Sequence, residues 1–244
     1  MNIRKASFVV AFAAVLGFAS LASAQSGSSW GASFDVTPHW ETMSLLNKFL
    51  NGDNRLEGRE VKVGLVRGRI RGGDWGVALV RQEVNDSSYQ RERRGSSSSC
   101  RGSSNSMICV NKANDSELYF NDAFLLGVEF HKYVPFVAIA KRVQIGINFG
   151  GGAMLPKGSA EKHLITTQTI TQNGEVIDSS QSRTTEVITA EEAFKDILGL
   201  SVIPTGRVEA VVGIIVTEHV KVKAGGGVNF PGQHKFTVGA TYLF

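Results

Sequence analysis

A period of two in hydrophobicity, repeated along most of the chain, limits the fold more than any other feature. Trp30, Ala32, Phe34, Val36, Pro38 and Trp40 fall on one face of an extended segment, and Gly31, Ser33, Asp35, Thr37 and His39 on the other. Side chains alternate across a strand, so this spacing marks a strand and is out of phase with a helix. Toward the end, Val208, Ala210, Val212, Ile214 and Val216 alternate with Arg207, Glu209, Gly213 and Thr217. Val220, Val222, Ala224, Val228 and Phe230 alternate with Lys221, Lys223, Gly225, Gly227 and Asn229, and Phe236, Val238, Ala240, Tyr242 and Phe244 line the last segment. Four more strands are expected over about residues 59–70, 75–82, 118–131 and 143–150. In residues 118–131 the apolar face is Leu118, Phe120, Phe124, Leu126, Val128 and Phe130, with Asp122 as a misfit. Continuing the apolar face of the second and third strands puts Arg67 and Arg81 on it, near strand ends where a long side chain can reach polar surroundings.

The connections sort by parity. Those after the first, third and fifth strands are long. Those after the second (Arg71-Gly72-Gly73-Asp74), fourth (about 132–140) and sixth (Glu218-His219) are short, as is the last, Pro231-Gly232-Gln233. Long loops at one end and tight turns at the other are the habit of membrane barrels, whose strands need roughly 9–11 residues to cross a bilayer at a tilt. The fold class expected is all-β: a closed up-and-down antiparallel transmembrane β-barrel of eight strands. It becomes ten if a hairpin inside the insertion at about 154–204 joins the wall. In that hairpin, residues 164–171 and 176–188 flank Asn173-Gly174, a turn signal. Thr189-Ala190-Glu191-Glu192 is a capping box opening a helix to Leu198, closed by Gly199. A short helix is also expected over residues 41–50.

The beginning of the chain reads as a signal peptide over residues 1–24: basic Arg4 and Lys5, an apolar run over 6–18, and Ala22-Ser23-Ala24 before the cleavage point. Residues 25–244 then form one barrel domain. Removing Arg4 and Lys5 takes the formal charge from +4 to +2, which gives no argument for nucleic acid. Cys100 and Cys109 share one polar segment, so in an oxidising compartment they are a candidate loop disulfide, with free thiols as the alternative. Neither they nor any other cluster has the partners of a metal site, and no phosphate-cradling motif implies a cofactor.

On the polar face of the strands, Asp35, Lys62, Glu129, Arg207, Glu209, Lys221, Lys223 and Lys235 carry both signs. Pointed into a barrel, they can pair across the lumen. Pointed at hydrocarbon, a Lys or Arg at mid-depth costs roughly 2–4 kcal/mol. Glu129 and Glu209 against Arg207, Lys221 and Lys223 is the expected pairing. Such a network reads as a plug, with a narrow water-filled channel as the alternative, because an eight-stranded barrel is barely wider than its own side chains.

The chain ends Thr237-x-Gly239-x-x-Tyr242-x-Phe244. This pattern resembles the C-terminal insertion signal of bacterial outer-membrane barrels. With the loop parity, the chain from Trp30 to Phe244 looks like the small outer-membrane β-barrel superfamily, the OmpA/OmpX-like group. The resemblance implies a Gram-negative outer-membrane location, contact with membrane lipids and lipopolysaccharide, and recognition of the last strand (Gly239, Tyr242, Phe244) by the barrel assembly machinery. A monomer is expected, with no catalytic residues.

Three other functions remain open. An exported lipocalin-like barrel would hold an apolar ligand inside. A lipid A-modifying enzyme could use His39 and His234 at the rims of neighbouring strands, with Ser33 and Asp35 deeper; His131, His163 and His219 are the other histidines. A basic loop with Arg91, Arg93, Arg94 and Arg101 could contact surface phosphates through its guanidinium forks.

Overall fold

The computed structural model of the protein describes residues 27–42, 57–84, 87–91, 96–103, 106–139, 141–230 and 233–244. The expected signal peptide and the helix expected over 41–50 lie outside the described residues, apart from the backbone of residues 41 and 42. Eight strands close on themselves: β1 (Ser29–Thr42), β2 (Glu57–Gly68), β3 (Asp74–Glu83), β6 (Ser106–Ile139), β7 (Val143–Gln172), β9 (Ile203–Ile215), β10 (Val220–Phe230) and β11 (Gln233–Leu243). Each pairs antiparallel with the next, and β11 returns to β1 with Phe34 opposite Ala240. Closure removes the free edges that an open sheet would present. The hairpin of the insertion stays out of the wall, so the barrel has eight strands, not ten.

Tight turns at residues 69–73, 141–142 and 216–219 occupy one end. The long connections lie at the other, where β6 and β7 run on past the wall. There β4 (Ser87–Arg91) and β5 (Ser97–Ser103) pair with β6, and β8 (Glu175–Thr189) pairs with β7. The fifth expected strand is therefore not followed by a loop at residue 154. It continues unbroken to Gln172 and turns at Asn173-Gly174, both with positive φ. The fourth strand likewise continues through residues 132–139, where a connection was expected, and Tyr133 points inward.

A second correction concerns Leu118 and Phe120. Both are buried rather than outward. A bulge between Tyr119 and Asp122 inserts an extra residue and exchanges the faces of β6. Asp122, the misfit of the regular pattern, is thereby exposed. Gly158 lies opposite the bulge at φ 95°, so close to the Asp122 carbonyl that a side chain would collide with it.

Helix α1 (Ala190–Leu198) follows β8. The Thr189 hydroxyl accepts from the Glu192 amide, the Glu192 carboxylate accepts from the Thr189 amide, and Gly199 ends the helix in the left-handed region. The buried side of α1 (Ala190, Ala193, Phe194, Ile197) packs on Leu118, Phe120, Leu125, Met154 and Ile203, forming the hydrophobic cluster of the molecule at the loop end of the barrel. The Phe120 and Phe194 rings lie 5.0 Å apart, and Lys162 holds Asp196 from outside at 2.7 Å.

Candidate functional site: a charge-filled lumen

Below that cluster the barrel interior changes character. The wall strands place their polar positions inward, as alternation demands, and five acids meet five bases: Asp35, Glu60, Asp74, Glu129 and Glu209 with Lys62, Arg207, Lys221, Lys223 and Lys235. Lys62 lies between Glu60 at 3.0 Å and Glu129 at 2.9 Å. Arg207 reaches Glu129 at 2.9 Å and Glu209 at 3.4 Å. Lys235 pairs with Glu60. Thr237 and Asn148 donate to Glu209 at 2.9 and 3.0 Å, and Thr237 shares a hydrogen bond with Thr37. Nearer the tight turns, Lys223 donates to both oxygens of Asp74 at 2.7 Å, and Lys221 sits 3.6 Å from Asp74 and donates to the Gly72 carbonyl at 2.8 Å. Both ammonium groups also lie about 5 Å from the Tyr133 ring centroid, within cation–π range.

These charges are withdrawn from bulk water: Lys62 is 1% exposed, Lys221 0%, Glu129 1% and Glu209 2%. Buried ions are tolerable only when paired, and removing one partner costs roughly 3–5 kcal/mol because the other is stranded. A balanced, cross-linked set meets that requirement. Beside it lies a cavity of about 20 Å³ among Ser33, Asp35, His131, Asn148, Glu209 and Lys223. That is room for a water or two. Asp35 lies so close over Gly239 that its carboxylate fills the space a β-carbon would take. Gly239 thus has a packing reason on the lumen side, independent of any insertion signal.

The outer face is the reverse. Leu65 (63% exposed), Leu79 (66%), Leu126, Val128, Phe130, Val212, Ile214, Val228, Phe236 and Val238 look outward and are exposed. Toward the tight turns, Trp30, Trp75 and Phe130 follow one another at 6.2 Å between ring centroids. Arg67 and Arg81 do lie on this face, each against an aromatic ring: Arg67 5.6 Å from Trp30, Arg81 4.7 Å from Phe124. Tyr242 and Phe244 are half-buried on the outer side of the last strand, and Tyr242 stacks on His219, whose Nδ1 meets the Leu243 carbonyl at 2.9 Å.

The eight charges expected on the lumen side lie on the inward side of the wall, and Arg207 meets Glu129 and Glu209 as expected, but the two lysines of β10 do not. Lys221 and Lys223 meet Asp74, not Glu129 or Glu209. Glu60 and Asp74 were not foreseen as members. Glu60 was within reach, because it shares the alternation phase of Lys62; Asp74 looked like a turn residue and is the first residue of β3. Cys100 and Cys109 are joined by a disulfide across the β5–β6 pair. Among the histidines, His131 is buried in the lumen and His234 is exposed, while Ser33 is buried beside Asp35; the side chain of His39 lies outside the described residues. His163 lies on the projecting sheet, accepting from Arg183 Nε at 2.9 Å. Of the basic loop, Arg101 is exposed, Arg93 and Arg94 are outside the described residues, and Arg91 is placed only as the last residue of β4.

No family model matches the chain, and no curated protein matches it either. Among solved structures it is similar to engineered variants of the Rhodopseudomonas blastica porin. Two of these share 8% and 7% identity, covering 89% of this chain and 100% of the other, with a TM-score of 0.18 in both. At that TM-score the likeness bears no weight, and the fold rests on the geometry above.

Proposed function

We propose that the protein is an integral outer-membrane β-barrel whose plugged lumen makes it a structural and surface-presenting element rather than a porin. One observation carries this: the polarity is inside out. Ion pairs fill the interior and Leu, Val, Ile and Phe clothe the exterior. In water the exterior would leave a continuous apolar band uncovered, far beyond what soluble monomers expose. In hydrocarbon the same band is solvated, the wall strands pair with one another around a closed ring, and the charges are hidden. A lipocalin-like barrel needs the opposite polarity, an apolar inside around its ligand. The aromatic positions near the tight turns suit the headgroup level.

The lumen network and the α1 cluster stand in series along the barrel axis, which supports a closed barrel. β6, β7 and β8 then raise a sheet from the loop end toward the outside. A lipid A-modifying site gains no support, since His234 is exposed at the rim while Ser33 and Asp35 face the lumen. The resemblance to the OmpA/OmpX-like group, outer-membrane residence and handling by the assembly machinery belong to the same proposal.

The protein should fractionate with the outer membrane, need detergent to stay dispersed, and migrate differently on gels before and after boiling. In planar bilayers it should show no steady conductance. Release in soluble form without detergent would refute the membrane reading, and stable open channels would refute the plug.

A further inference from the structure

Among the described residues, the tight-turn end of the wall carries six exposed cations with little acid beside them. Arg67, Arg69, Arg71, Lys132, Lys141 and Arg142 are all exposed there. Glu218 is the exposed acidic side chain at that end among the described residues, since Asp74 is turned inward and held by Lys223. At the other rim the exposed cations Arg59, Arg81 and Lys157 share the wall with exposed Asp122 and with Glu83, which approaches Arg81 at 4.0 Å. Among the described residues, the two rims of the wall therefore differ in net charge.

The cations at the tight turns are also set at a defined depth. Arg67 lies over Trp30, and Lys132 is directly cross-strand from Trp75 on one side and Phe149 on the other. Tryptophan prefers the headgroup level of a bilayer, so cations sharing that level face lipid phosphates. Beyond them the β6–β7 hairpin exposes Val134, Phe136, Val137 and Ile139 just before Lys141 and Arg142. Apolar side chains next to cations make a segment suited to an interface carrying negative charge.

We propose that this collar is a docking surface for the headgroups of anionic phospholipids in the leaflet that meets the tight turns. The proposal rests on the membrane reading above. The collar offers several separate guanidinium and ammonium donors, so it gathers many headgroups around the barrel instead of enclosing one.

The full-length mature chain would be refolded into phosphatidylcholine vesicles carrying either brominated phosphatidylglycerol or brominated phosphatidylcholine, with Trp40→Phe so that the fluorescence comes from Trp30 and Trp75. Brominated phosphatidylglycerol should compete for the wall at least about threefold better than the brominated neutral lipid at low salt, and the preference should vanish near ~1 M salt, where screening reaches about 3 Å. A variant R69Q/R71Q/K141Q/R142Q, altered only in the turns and keeping Arg67 and Lys132, should lose most of the preference while keeping the heat-dependent gel shift. Equal quenching by the two lipids, or a preference undiminished in the variant, overturns the collar. Failure to insert into either vesicle sinks the membrane reading, and the collar with it; insertion without preference sinks the collar alone.

Discussion

The two halves of the barrel interior are built from opposite materials. Near the tight turns and at the waist, Glu60, Lys62, Glu129, Arg207 and Lys235 interlock as ion pairs. Toward the loop end, Phe120, Leu125, Met154 and Ile203 form an oily layer. The difference is what each half has to pack against. At the waist, inward side chains meet only one another across the narrow lumen, and long charged chains both fill it and satisfy each other. At the loop end the chain sends α1 back over the mouth, and Phe194 and Ile197 give the apolar residues a partner. An interior can be polar or apolar, but each half must find its own complement.

The largest test of this contrast is at the waist. Arg207→Met leaves Glu129 with Lys62 alone and Glu209 with only the neutral donors Thr237 and Asn148, and should cost about 3 kcal/mol, seen as a lower temperature for conversion of the folded gel band. Adding Glu129→Leu should recover part of the loss, because two apolar groups need no partner. At the mouth, Phe194→Ala removes a buried ring and should cost about 3 kcal/mol. Here the readout should separate the halves: protease should cut near α1 while the barrel still resists boiling as before. Thr189→Ala breaks the capping box and should cost about 1 kcal/mol in the same proteolysis assay. The smallest effect is acid sensitivity of the cap. The Thr189 amide, and then its hydroxyl, hold the Glu192 carboxyl below its ordinary value of 4.5. The stabilisation is therefore complete above that value and is lost as pH falls through the lower folded value. Amide exchange in the first turn of α1 should quicken over that range, and Glu192→Gln should flatten the dependence.

The sequence revealed the waist far better than the mouth. Alternation set the face of Lys62, Glu129, Arg207 and Lys221 because a strand's period is fixed by its geometry, and the parity of loop length told the two ends of the barrel apart, although the turn after β6 falls later than residues 132–139. The capping box at Thr189 was readable because its chemistry is local. The mouth was misread for a physical reason. The bulge at Tyr119–Asp122 shifts the phase of β6, so Leu118 and Phe120 continue an apparent outer stripe that in space belongs to the core. Asp122 was the signal, a charge out of phase on a greasy face. Partner choice was also hidden. Which acid meets Lys223 depends on the stagger of eight strands around the barrel, and no pair of neighbouring residues in the sequence encodes it.

The central claim is that hydrocarbon surrounds the apolar exterior while ions fill the inside. A nitroxide at Leu79, Val128 or Val212, compared with one at Thr217 in the turn, tests it in reconstituted vesicles. The wall positions should collide readily with oxygen and hardly at all with a water-soluble nickel chelate, and the turn position should do the reverse. Wall labels open to the nickel chelate and shielded from oxygen would contradict the account.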